Sequence, residues 1–184
     1  MKNVRLWLIL ILVVLVVAGG FWSWWSLDLR WRPHTLKTNQ AQIAKILDGA
    51  GWVSPHLPGQ RLYVISYRAC PACIAFEQTE LPKLQAAGID TRVIMIARGD
   101  RNGLAYSTAV ERATVAELWV NRNWKLLDRW LAVTAPNAWT APGLPGADGD
   151  VARTAVVDAG RKAVDDLTPL LKANGVRIAY PVVI

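Results

Sequence analysis

Cysteine is nearly missing from this chain of 184 residues, which holds only Cys70 and Cys73. Two cysteines cannot build a disulfide-rich scaffold, so the pair must be explained as a site. Histidine is equally scarce: His34 and His56 are the only two, too far apart in sequence for the histidine half of a finger-type zinc site. No run of Lys and Arg occurs, and the net charge of +7 is spread along the chain. That distribution argues against a nucleic-acid footprint, although a basic surface favours anionic lipid headgroups. Internal repeats and low-complexity tracts are lacking as well. With so few ligand-type residues, neither a metal nor a cofactor is expected.

One further absence is local. From Leu6 to Leu27 there is no charged residue, and the excess in the 53% hydrophobic content sits there. At about 1.5 Å per residue such a helix crosses a hydrocarbon core of roughly 30 Å. Trp7 stands at one end, with Trp22, Trp24, Trp25 and Trp31 at the other, as in an interfacial aromatic belt. Residues 1–27 are therefore expected to be a transmembrane anchor in the lipid bilayer. The alternative is a cleaved signal peptide with Ala18-Gly19-Gly20 as its small-residue site, but the apolar stretch exceeds the usual length. Charge does not orient the anchor: Lys2 and Arg5 precede it and Arg30, Arg32 and Lys37 follow. A tethered dithiol is most useful in an oxidising compartment. The expected location is thus a bacterial inner membrane, single-pass, with the remaining domain in the periplasm.

What the chain does contain is Cys70-Pro71-Ala72-Cys73. Before it, Leu62 to Tyr67 reads as a buried strand; after it, Ile74 to Glu80 opens a helix that runs to about Ala87, bent at Pro82 and capped by Gly88. A helix start offers unpaired N–H groups and partial positive charge, which stabilise a thiolate on the first cysteine. The second lies on the same helical side and can attack a mixed disulfide. A zinc site and a purely structural disulfide remain alternatives, while haem attachment fails because Ile74 stands where His is required. Cys70 is the better nucleophile and Cys73 the shielded partner. Pro71 suits an early helical position. Arg68 is weighed as a tuner of the thiolate against a solvated side chain. Glu77 is weighed as a proton acceptor for Cys73 against a surface carboxylate.

The surrounding pattern is α/β. Residues 28–59 read as a stalk with a short helix over 40–49, and 60–184 as the domain. Thr91 to Ala97 is a second buried strand, parallel to the first in a βαβ unit. Thr108-Ala109-Val110-Glu111 fits a capping box, opening a helix with Ala109, Ala113, Ala116 and Val120 in line. Asn123 caps a helix carrying Trp124, Leu127, Trp130 and Leu131. A Pro- and Gly-rich loop spans 134–149. Asp150 then caps a helix whose stripe is Val156, Ala159, Ala163, Leu167 and Leu170, ending at Asn174-Gly175. Val176 to Ile184 reads as a third strand interrupted at Tyr180-Pro181, an X-Pro bond that is a candidate for the cis form.

These features resemble the thioredoxin superfamily, and within it the Dsb-type (DsbA/DsbC/DsbG-like) thiol–disulfide oxidoreductases, over roughly residues 60–184. The resemblance rests on Ser66-Tyr67 before Cys70-Pro71-Ala72-Cys73, on the helical insertion over about 103–175, and on Tyr180-Pro181. The stretch Glu111 to Leu131 looks most like the DsbC/DsbG side. It implies a thioredoxin-like fold with the insertion between the βαβ unit and the cis-proline strand, preceded by one transmembrane helix. It also implies that Cys70 attacks, Cys73 resolves, and Pro181, with Tyr180, binds substrate. Three departures stand out. Ala72 replaces the His of strongly oxidising members, Tyr180 is bulkier than the usual Thr or Val, and the family's following strand and helix are missing after Ile184, as if truncated.

The function this implies is that of a membrane-anchored periplasmic protein thiol–disulfide oxidoreductase or isomerase. Its partners would be protein thiol and disulfide substrates and a membrane redox partner that recycles the dithiol, with no nucleic acid. The alternatives are a dedicated reductase of the cytochrome c maturation type and a non-catalytic thioredoxin-like assembly subunit of a membrane complex.

Overall fold

A computed structural model of the protein describes residues 2–27 and 33–184. The chain divides into two compact units, 1–35 and 36–184. The first is helix α1 (Lys2–Leu27). Every side chain described between Leu10 and Trp25 is exposed, so this helix is apolar without a protein surface against it within its own unit. Among the described residues, no helix is long and apolar enough to cross a membrane. Trp31, Arg30 and Arg32, expected in the aromatic belt and the charge count, lie outside the described residues.

The second unit is mixed α/β around a three-stranded sheet of order β2-β1-β3. Strand β1 (Arg61–Ser66) pairs parallel with β2 (Asp90–Met95), with Tyr63 opposite Arg92 and Ser66 opposite Met95. Between them run α3 (Pro71–Thr79) and α4 (Leu81–Ala86). The single helix expected here is two, because Pro82 at the start of α4 has no N–H to continue the earlier ladder. Strand β3 (Val182–Val183) is antiparallel to β1, and Tyr63 and Ile184 exchange backbone hydrogen bonds beside it. Residues 176–181, expected as strand, do not pair with β1. Pro181 lacks the donor a ladder needs, and the pairing begins one residue after it.

Helix α2 (Gln40–Gly49) was expected within a stalk, yet residues 36–59 belong to the globular unit. Ile43, Leu47, Ala50 and Val53 are buried, and Val53 bridges to Val93 beside β2. Asn174 clamps the entry to α2: its carbonyl accepts from the N–H groups of Lys37 and Thr38, and its amide donates to Thr38 O.

Three further helices cover the sheet. Helix α5 (Ala109–Asn121) starts with a complete Thr108/Glu111 capping box, α6 (Trp124–Ala132) is capped by Asn123, and α7 (Val151–Ala173) by Asp150. Each cap satisfies a backbone donor that would otherwise go unpaired, worth about 1 kcal/mol. Along α7 the buried positions are Val157, Gly160, Leu167 and Leu171. This shifts the expected stripe by about one residue, and Trp119 explains the shift. A Cβ on Gly160 would lie 3.0 Å from its ring, and one on Gly51 would lie 2.2 Å from it. The indole N–H donates to Met95 O at 2.8 Å. Trp119 packs against both buried apolar clusters, the one around Val64, Leu118 and Trp130 and the one around Ile43, Ile65 and Leu167.

Candidate active site

Both cysteines are reduced and sit where β1 hands over to α3. Cys70 is the N-cap residue, in extended backbone conformation, and Pro71 takes the first helical position. The Cys73 backbone N–H donates to Cys70 Sγ at 3.1 Å. The thiol therefore stands where a capping oxygen normally stands, and an anionic sulfur there meets an N–H and the helix dipole. Cys70 is less open than expected at 5% exposure, and Cys73 is sealed at 0%. The side chains beside the pair, Pro71 and Ala72, are exposed.

The two thiols are not equivalent. Burial, and then the hydrogen bond with Cys70, push the Cys73 thiol up to about 12, while the Tyr67 backbone and the Ser66 hydroxyl pull against that rise. Cys73 is therefore a neutral thiol at ordinary pH.

The Tyr180–Pro181 peptide bond is cis. Tyr180 O lies 3.8 Å from Cys70 Sγ, a weak S–H donor contact. The Tyr180 ring meets Tyr67 edge to face, with centroids 5.0 Å apart. Burial raises both phenols, Tyr180 to about 12. Residues far apart in sequence, Cys70 and Tyr180-Pro181, thus share one surface.

Arg68 and Glu77 form a buried ion pair. Their side chains are each 1% exposed, and Nη1 lies 3.3 Å from Oε2. The solvated reading of Arg68 and the surface reading of Glu77 are both corrected by this burial. Arg68 Nη2 donates to the carbonyls of Val133 and Leu131 at the C-terminal end of α6, and none of its hydrogen bonds reaches a cysteine. The other Glu77 oxygen accepts from Ser66 Oγ at 2.5 Å. Burial raises the Glu77 carboxyl above its usual range, while Ser66 and Arg68 oppose that rise without cancelling it. Arg68 is lowered by the same burial, against the attraction of Glu77.

Ser66 thus links Cys73 to a carboxyl group that holds a proton more readily than usual. Sequence reasoning had Ser66 only as a strand end. A hydroxyl one residue before the aromatic end of a buried strand, with a Glu nearly two turns into the next helix, is the available signal. Among the described residues no group of three or more His, Cys, Asp or Glu could hold a metal ion.

Comparison with known proteins finds no family model that matches this chain, and no curated protein matches it.

Proposed function

We propose that the protein is a membrane-anchored thiol–disulfide oxidoreductase with a thioredoxin-like fold, its helical insertion formed by α5 to α7. The observation that carries this reading is Cys70 as helix N-cap, its Sγ held by the Cys73 N–H and facing the carbonyl before the cis-proline. That arrangement sets a backbone N–H and a helix N-terminus against one sulfur, buries the other as a thiol, and puts a backbone carbonyl beside Cys70.

In the reducing direction, the Cys70 thiolate attacks a substrate disulfide. A Cys70–substrate bond forms, the substrate S–S bond breaks, and one substrate thiolate leaves. Cys73 then gives its proton to Ser66 Oγ as the Ser66 proton passes to Glu77. The Cys73 thiolate attacks Cys70 Sγ, forming Cys70–Cys73, and the Cys70–substrate bond breaks to release the second substrate sulfur as a thiolate. The protein is oxidised by two electrons and the substrate reduced by two. Run backwards, the same steps insert a disulfide into a substrate dithiol.

The apolar, uncharged sequence from Leu6 to Leu27 supports the anchor. The periplasmic location follows from where a tethered dithiol has use, with a membrane redox partner restoring the site. Insulin reduction by the full chain in detergent, against a Cys70→Ser control, tests the reading. The variant should fall to the uncatalysed rate; equal rates for the two proteins would overturn the mechanism. The reduction potential assigns direction: a value near −270 mV makes it a reductase and one near −120 mV an oxidase.

A further inference from the structure

We propose that a cleft beside the cysteines selects protein substrates carrying an acidic side chain close to the reacting sulfur, and that Arg98 is the residue that reads it. This rests on the exchange reaction proposed above.

The cleft measures about 320 Å³. One wall is Tyr67 and Tyr180, whose rings meet edge to face, and the Tyr180 carbonyl lies 3.8 Å from Cys70 Sγ. Its charged lining is mostly basic: Arg98 and Arg101 follow β2, and Arg161 comes from α7, against a single acid, Asp165. Arg161 is committed elsewhere. Its Nη1 pairs with Asp158 at 2.7 Å, and its other nitrogens donate to the carbonyls of Ala97 and Arg98.

Arg98 is not committed. Arg68, Arg92, Arg112, Arg153 and Arg161 each have a carboxylate within 3.3 Å. Among the described residues, Arg98 forms no such pair, and its buried Nε has no hydrogen-bond partner. Its guanidinium is instead held between two aromatic faces, 4.2 Å from the Tyr67 centroid and 4.7 Å from that of Tyr106. Such stacking fixes the plane of the cation and leaves its edge donors unmet. A guanidinium in that state binds a carboxylate through paired, charge-assisted hydrogen bonds. Arg101, exposed on the same rim, adds a second positive charge. The volume is at the small end for ligand sites. It suits one side chain and its neighbours, so the carboxylate must be carried by the molecule whose sulfur is reacting at Cys70.

The test uses the reduced full chain in detergent and three peptides. All have one sequence, with Glu, Gln or Lys two positions from a cysteine that is disulfide-linked to nitrothiobenzoate. The Cys70 thiolate attacks the peptide sulfur, forms a Cys70–peptide disulfide and releases the coloured thiolate. The Glu peptide should react about tenfold faster than the Gln peptide and the Lys peptide slower than both, a ratio that shrinks as salt is raised. Arg98→Met should bring the Glu/Gln ratio close to one. Arg101→Gln, at an exposed position, should lower it partly, and keeps the test intact if Arg98→Met does not fold. A wild-type ratio near one, with the Gln peptide reacting well, overturns the acidic preference and leaves the exchange reading standing. Failure of all three peptides to react overturns the exchange reading itself. Glutathione disulfide reacting faster than the Glu peptide would assign the cleft to a small thiol and overturn the claim for protein substrates.

Discussion

Two arginine–carboxylate clusters sit at opposite ends of β1, and the same residue types behave in opposite ways. At the C-terminal end, Arg68, Glu77 and Ser66 are buried beneath the cysteines. At the N-terminal end, Arg92 joins Asp90 and Asp48, each at 3.2 Å, with Tyr63 and Ser54 completing the set. Burial pushes both carboxyls upward. At Glu77 burial wins. At Asp90 it is outweighed by hydrogen bonds from Ser54 and Arg92 and by the Arg92 charge, and the carboxyl ends below its ordinary value. The second cluster is also open at one side, since the Asp48 side chain is 55% exposed, and Arg92 lies flat on Trp52 at 4.0 Å. One cluster holds its carboxyl above the ordinary range; the other fastens α2 to the sheet. Each carboxylate has two donors, one hydroxyl and one guanidinium, so the deeper burial of Glu77, 1% exposed against 8% for Asp90, decides the direction of the shift.

Removing the acid from the buried cluster is the strongest way to break this contrast. Glu77→Ala leaves Arg68 charged in the core and should cost about 3–5 kcal/mol in denaturant unfolding. Replacing Arg68 and Glu77 together by Met and Leu should restore most of that stability, while slowing the resolution of mixed disulfides by Cys73.

A smaller effect separates the clusters by pH, read from thermal melts between pH 3 and pH 8. The Glu77 carboxyl is raised on folding, so its contribution is present below the ordinary carboxyl value and fades as pH rises through the raised one. Stability relative to Glu77→Gln should therefore decline with rising pH. The Asp90 carboxyl is lowered, so its contribution is present above the ordinary value and disappears as pH falls through the lowered one. Stability relative to Asp90→Asn should rise over the same span. Parallel curves for the two variants would remove the distinction.

Cys73 offers a chemical reading of the same burial. With its thiol near 12, iodoacetamide at pH 8 should modify Cys70 and leave Cys73 untouched by mass spectrometry. Modification of both at similar rates would contradict a sealed second thiol. The least effect belongs to Asp48→Ala, which removes a mostly exposed partner and should cost less than about 1 kcal/mol.

Local chemistry made much of the framework legible. Thr108 with Glu111, Asn123, Asp150 and Asn174-Gly175 all bound helices where their side chains and turn preferences put them, because capping depends on residues a few positions apart. The parallel pairing of β1 and β2 followed from the length between them. Burial of charge was not legible. Glu77 depends on Ser66 and on Arg68, whose guanidinium also depends on carbonyls at 131 and 133. No periodicity carries information over such separations. The stripe of α7 was misread for a related reason: the partner is Trp119, whose ring needs the bare backbone of Gly160.

Trp119 has one more consequence. Its indole is shared by two apolar clusters and tied to the end of β2 by a single hydrogen bond. A fluorine-labelled tryptophan at this position therefore acts as a spectroscopic witness at a seam. Its resonance will report when the two halves of the core stop moving as one, before either half has melted by itself.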